Sequence, residues 1–86
     1  LAHILVQVAD ASHPEVEEQI RAVDKILDEL NLRDKPKILA LNKWDLVQED
    51  QKVILTNVFP RGIPICALQE NTLTDLVSAI LEFLEV

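Results

Sequence analysis

The chain has 86 residues, of which 49% are hydrophobic and 3% aromatic, and its 8 Lys and Arg against 15 Asp and Glu give a net charge of −7. This composition predicts one small globular unit with an aliphatic core and excludes a disordered chain. It provides no basic stripe for nucleic-acid phosphates, no internal disulfide and no apolar run long enough to span a bilayer.

The first predicted elements are a buried strand and an amphipathic helix. Residues 4–9 form a short apolar run of the kind found in parallel sheets. Ser12 and Glu15 have the spacing of a capping box, with Pro14 in the first turn, and they predict a helix that begins there. The apolar face of this helix repeats at steps of three and four residues, at Val16, Ile20, Val23, Leu27 and Leu30.

A second and a third strand–helix pair follow. Residues 37–41 form another buried run, and residues 48–59 a weaker helix that Pro60 stops. Residues 63–67 are predicted to form a third strand. We expect that strand at an edge of the sheet, because Pro64 lacks the N–H that an inner strand would donate.

The last predicted element is a helix over the apolar residues 73–84. Thr72 and Asp75 offer a second capping box at its start. Alternation of strands and helices predicts an α/β fold with three layers, in which three βα units form a parallel sheet. The chain starts at Leu1 within an apolar stretch, and we expect it to be part of a larger fold.

Polar residues follow the predicted strands at the edge where open α/β sheets bind ligands. Asn42, Lys43 and Asp45 come directly after the second strand, with the spacing Asn-Lys-x-Asp. A carboxylate at Asp45 can accept the adjacent N1–H and 2-amino donors of guanine, whereas adenine has an acceptor at N1 and no 2-amino group. Trp44, the variable position, is predicted to pack under the loop. The alternative is a polar turn in which Asp45 only caps the next helix.

These residues resemble the fourth of the five sequence motifs of GTP-binding proteins. By this resemblance, Asn42 bonds the base near N7 and ties its loop to the phosphate loop, and the stem of Lys43 covers the purine ring. Cys66, Ala67 and Leu68 resemble the fifth motif, in which the amide at the alanine position donates to guanine O6. Cys66 replaces the usual serine, and we expect it to be a small buried residue rather than a catalytic thiol.

Three stretches (residues 8–14, 19–23 and 28–30) make the whole chain similar to the HflX family of ribosome-associated GTPases, within the TRAFAC class. The resemblance implies that residues 1–86 are the C-terminal portion of a partial P-loop NTPase (Ras-like) G domain, the half that reads guanine. It implies GTP or GDP as the ligand, with Mg²⁺ held by the intact parent outside this chain. It further implies a cytoplasmic protein that binds the large ribosomal subunit.

The chain lacks the motifs of phosphoryl transfer. Gly62 is the only glycine, so the sequence contains no phosphate loop and no Asp-x-x-Gly turn. Because GTP hydrolysis needs phosphate cradling, Mg²⁺ and an oriented water, we predict no catalytic and no metal-binding residue here, and no hydrolysis by the chain alone. We expect Asp10 to anchor the turn into the first helix and His13 to be a surface or capping residue.

The isolated chain is also predicted to associate with itself. In an intact G domain the phosphate-loop strand would lie against residues 4–9, and without it that apolar edge invites pairing with another copy. Two other functions stay open from the residues. A receiver-like signalling domain would use Asp10 as phosphoryl acceptor and Lys43 as the distal cation. A non-enzymatic α/β interaction module would use the sheet edge or the acidic first helix.

Overall fold

Strands and helices alternate along the chain, whose computed structural model describes residues 4–32, 34–66 and 70–84. The strands are β1 (Leu5–Asp10), β2 (Lys37–Asn42) and β3 (Ile63–Pro64). The α-helices are α1 (Val16–Glu29), α2 (Glu49–Val58) and α3 (Glu70–Leu84), and a short 3-10 helix (Trp44–Leu46) lies between β2 and α2. Among these helices, none is long and apolar enough to cross a membrane.

The strands form a parallel sheet in the order β1-β2-β3. β1 and β2 pair along their whole length and end together, with Asp10 opposite Asn42. The parallel sheet with its helices confirms the predicted α/β class. β3 lies at an edge, as Pro64 predicted, but it ends at that residue rather than extending over residues 63–67. A proline contributes no N–H to the ladder, which is consistent with so short a pairing.

The core lies between the sheet and the first two helices. Alternate residues of a strand face the same side, so one face of β1 and β2 packs with α1 and α2. The buried cluster comprises Ala9, Ala11, Val16, Ile20, Leu41, Val47 and Leu55. Ile38 and Ala40 face the other side and are buried too, where α3 packs against β2 and β3. Helices therefore cover both faces, which gives the three predicted layers.

Gly62 is required by a close approach between the turn after α2 and the sheet. A Cβ at this position would lie 2.8 Å from Leu41 Cδ1 and 3.1 Å from the Phe59 carbonyl oxygen. Both distances are shorter than ordinary van der Waals contact. The only glycine of the chain thus lets the backbone pass over Leu41 at the end of β2.

Both predicted capping boxes are wrong. Ser12 donates its N–H and its hydroxyl to Asp10 Oδ1, at 3.0 and 2.6 Å, and α1 begins four residues later without a side-chain cap. α3 begins at Glu70, so Thr72 lies inside the helix, where its hydroxyl bonds to the Cys66 backbone. In both cases a local side-chain bond competes with the cap.

β1 forms the other edge of the sheet among the described strands. The Leu5 N–H donates to the Pro36 carbonyl and so points toward β2. Because these groups alternate along a strand, the N–H and C=O of Val6 and Val8 point away from β2. Their side chains are also exposed. This edge therefore combines apolar side chains with backbone groups that face away from the sheet.

Candidate functional site

The carboxyl ends of β1 and β2 bring two polar clusters of the sequence together. Asp10 and Asn42 end the two strands opposite each other, and the Ala11 N–H donates to the Asn42 carbonyl at 2.9 Å. The turn after β1 and the turn after β2 are therefore neighbours. This is the edge at which open parallel sheets bind ligands.

Lys43 redirects the chain as it leaves β2. Its backbone is left-handed, with φ 59° and ψ 34°, a conformation that residues other than glycine adopt only when their surroundings hold it. The next residue is held by its N–H, which donates to the Ile65 carbonyl at 3.1 Å. This bond joins the turn after β2 to the end of β3. The Asn-Lys-x-Asp segment is thus held against the residue that directly precedes Cys66.

Asp45 and Asn42 present hydrogen-bonding groups that no described residue uses. The Asp45 side chain is exposed on the 3-10 helix and has no hydrogen bond or ion pair with the described part of the chain. Asn42 Oδ1 is buried and accepts no hydrogen bond from any described residue. A buried polar atom without a partner costs about 1–3 kcal/mol. Within the described part of the chain, the turn therefore offers two carboxylate oxygens without a partner beside an amide oxygen that needs a donor.

Asp10 connects the two turns. Its Oδ1 accepts both Ser12 bonds, and its Oδ2 accepts a bond from Lys43 Nζ at 3.2 Å. The Ser12 hydroxyl, supported by the Lys43 ammonium, holds the pKa of Asp10 below its ordinary value, and partial desolvation opposes the effect. The structure confirms that Asp10 anchors the turn into α1. It adds a contact with Lys43 that sequence reasoning missed.

We expect the stabilisation from ionised Asp10 to be lost in acid. Its pKa is lower in the folded than in the unfolded chain, where it is about 3.9, so the stabilisation is complete above that value and disappears as the pH falls through the folded pKa. Asp10→Asn should lower the urea midpoint at pH 7, and its difference from wild type should shrink below about pH 4. A difference that is the same at pH 7 and at pH 3 would contradict this.

Trp44 packs inward, as predicted. Its half-buried ring contacts the core cluster, and Lys52 Nζ lies 5.8 Å from the ring centroid. Lys52 is only partly exposed and also pairs with Glu49 at 3.3 Å. The indole thus supports the turn from below, while Lys43 and Asp45 on either side of it are exposed.

Cys66 follows β3 as a buried free thiol, as expected for a small apolar residue. Its N–H donates to Thr72 Oγ1 at 2.9 Å, and the Thr72 hydroxyl donates back to its carbonyl at 3.0 Å. Ala67 and Leu68 lie outside the described residues, so their predicted roles stay predictions. Sequence reasoning assigned Thr72 to a cap and missed this bond. The position of the Thr72 hydroxyl six residues after Cys66 was the sequence feature that could have indicated this bond.

His13 makes a local hydrogen bond in the turn before α1. Its Nδ1 accepts the Glu15 N–H at 3.0 Å just before α1. In the described part of the chain, no group of three His, Cys, Asp or Glu side chains could hold a metal ion. The contact between Asp10 and Lys43 is also the one that a receiver-like site would use, so this contact alone does not distinguish the two functions.

Comparison with known proteins gives matches to GTPases. The GTPase HflX of Akkermansia muciniphila is 38% identical over 90 residues, which is 99% of this chain and 21% of that protein. The GTPase HflX of Treponema denticola is 35% identical over 85 residues, covering 98% and 22%. The GTPase Der of Mycobacterium tuberculosis is 32% identical over 62 residues, covering 72% and 12%.

The chain spans about a fifth of the length of the HflX relatives that it matches. Its similarity to them extends along nearly all of its own residues, whereas the similarity to Der covers 72% of the chain. No family model matches the chain, and no solved structure matches it significantly.

Proposed function

Because the chain belongs to the HflX family of GTPases, we propose that residues 1–86 are the C-terminal portion of a GTP-binding domain and recognise the guanine base. One observation carries the proposal. Asn42, Lys43 and Asp45 lie within four residues at the carboxyl edge of a parallel sheet, Lys43 has a left-handed backbone, and the Asp45 carboxylate is exposed. This is the arrangement that base reading by paired hydrogen bonds requires.

Asp45 supplies the selectivity. Its two oxygens accept the N1–H and the 2-amino group of guanine, and both bonds are strengthened by the negative charge. Adenine would place a lone pair against one oxygen and leave the other without a donor. A site built to pair with two donors rejects a ligand that lacks them, because its own polar atoms are then unmatched.

Asn42 and Lys43 complete the base site in this proposal. The exposed stem of Lys43 provides an apolar surface against the purine ring. The amide nitrogen of Asn42 faces N7, and its buried Oδ1, which has no donor among the described residues, accepts an N–H from the phosphate loop of the parent. The residues present therefore fit a guanine nucleotide, GTP or GDP.

The backbone after β3 contributes the third contact to the base. The Ala67 amide donates to guanine O6, with Cys66 and Leu68 on either side of it. The clamp between Thr72 and the Cys66 backbone supports this assignment, because it fixes the peptide that directly precedes Ala67. A donor held in place before the ligand arrives binds at a smaller entropic cost.

In this proposal the chain recognises the guanine base, and other segments of the parent protein carry out GTP hydrolysis. We assign it no catalytic residue and no metal ligand. Phosphate cradling, Mg²⁺ and the oriented water belong to other segments, with which the parent hydrolyses GTP. The family resemblance adds a cytoplasmic location and association with the large ribosomal subunit, which co-sedimentation of the full-length protein with that subunit would test.

Nucleotide competition on the full-length protein tests the proposed function. GDP should displace a bound fluorescent guanine nucleotide, and ADP should fail to do so at about a 100-fold excess. Inosine diphosphate lacks only the 2-amino group and should compete roughly 10- to 100-fold more weakly than GDP, as expected for one lost bond to a charged acceptor. Equal competition by ADP and GDP would refute guanine recognition.

A further inference from the structure

We propose that Asp10 is a positioning residue for guanine recognition, which holds the Lys43 side chain across the edge of the sheet so that its stem lies where the base binds. This inference rests on the proposed function, because it concerns how the same site is prepared for its ligand. It assigns Asp10 a second task beside the anchoring of the turn into α1.

The contact between Asp10 and Lys43 depends on the sheet. The two residues are 33 positions apart, and the pairing of Asp10 with Asn42 brings them together. The left-handed backbone of Lys43 then turns its side chain back toward β1, where Nζ donates to Asp10 Oδ2 at 3.2 Å. The four-carbon stem is thus fixed at both ends, by its strained backbone and by its ammonium group.

The Asp10 carboxylate is itself held in place. Ser12 donates two hydrogen bonds to Oδ1, which leaves Oδ2 for the lysine. An exposed ion pair between two flexible side chains contributes little, since both must be ordered. Here the Asp10 carboxylate is already ordered by the two hydrogen bonds from Ser12. Its lowered pKa, caused first by the Ser12 hydroxyl, agrees with that arrangement.

The contact between Asp10 and Lys43 is proposed to act on the affinity for the base. A free lysine stem samples many rotamers, and a base that packs against it must restrict them. With Nζ tethered to Asp10, much of that restriction precedes binding, and the affinity for the base rises accordingly. The tether also keeps the ammonium on the β1 side of the turn, away from the Asp45 carboxylate that the base needs.

Three substitutions separate this role from a structural one. Asp10→Asn keeps an oxygen for Ser12 but places an NH₂ group, which cannot accept, against the lysine. Lys43→Met keeps an apolar stem without the ammonium. Ser12→Ala retains the charge of Asp10 and removes the hydroxyl that orders it, so it serves as a second test if Asp10→Asn impairs folding.

The experiment is a double-mutant cycle on the full-length protein, with the dissociation constant of GDP as its readout. Asp10→Asn should weaken GDP by about three- to tenfold in the wild-type background and by less than about twofold in the Lys43→Met background. Ser12→Ala should show the same dependence on Lys43 with a smaller effect. Equal weakening in both backgrounds, or none in either, would overturn the positioning role.

The outcome is distinguishable from failure of the proposed function. If the wild-type protein does not prefer GDP to ADP, guanine recognition itself is wrong. If the preference is present and the effects of Asp10→Asn and Lys43→Met simply add, only the positioning role is wrong. A preference that is present together with non-additive effects supports both.

Discussion

Asp45→Asn in the full-length protein is expected to weaken GTP binding by about 10²- to 10⁴-fold, because two hydrogen bonds to a charged acceptor are lost. Xanthosine triphosphate should lose much less, or gain affinity. Xanthine carries a carbonyl where guanine has its 2-amino group, and the asparagine NH₂ can donate to it. The substitution should therefore exchange the preferred base rather than abolish nucleotide binding.

Asp45→Asn tests the contact with the base without removing a known structural contact. Asp45 is exposed and has no partner in the described part of the chain, so asparagine disturbs no hydrogen bond or ion pair with those residues. Asp50→Asn, at an exposed aspartate in the first turn of α2, is the matched control and should change neither affinity. Titration of both variants with fluorescent guanine and xanthine nucleotides gives the comparison. Equal losses for the two nucleotides would mean that Asp45 does not read the base.

Much of the fold could be predicted because each strand and helix shows, within its own few residues, the apolar pattern that its burial requires. β1 and β2 are continuous apolar runs with no competing helical period, and their observed bounds differ from the predicted ones by one residue at most. The face of α1 that carries Val16 and Ile20 is buried as its spacing predicted, whereas Leu30, predicted to extend this face, follows the helix and is 61% exposed. Pro64 marked an edge strand because a missing donor is a property of the residue itself.

The starts of the helices and the contacts within the site were less predictable. The Ser12 hydroxyl could bond either to the Asp10 carboxylate or to the free amides at the start of α1, and the sequence alone does not indicate which bond forms. The Ser12 hydroxyl bonds to Asp10 because that carboxylate lies only two residues away, closer than the free amides of α1. The contact between Asp10 and Lys43 depends on the register between β1 and β2, which the two strands set together and neither segment shows alone.

The second large predicted effect is self-association of the isolated chain through the edge of β1. The isolated 86-residue chain is expected to pair with a second copy there, because the backbone groups of Val6 and Val8 point away from β2 and their side chains are 43% and 58% exposed. In the full-length protein, our proposal places the phosphate-loop strand against this edge. The same association is therefore not expected of the intact domain.

Val8→Lys should convert the self-associated chain into a monomer. A lysine on the edge brings two charges together across the paired strands and must be desolvated for the copies to meet. Val53→Lys is the matched control, since Val53 is 61% exposed on α2, away from the edge, and should leave the association intact. Sedimentation equilibrium over a range of concentrations separates the outcomes. A wild-type chain that stays a stable monomer well into denaturant would contradict the prediction, whereas loss of association in both variants would place the interface on the helical face instead.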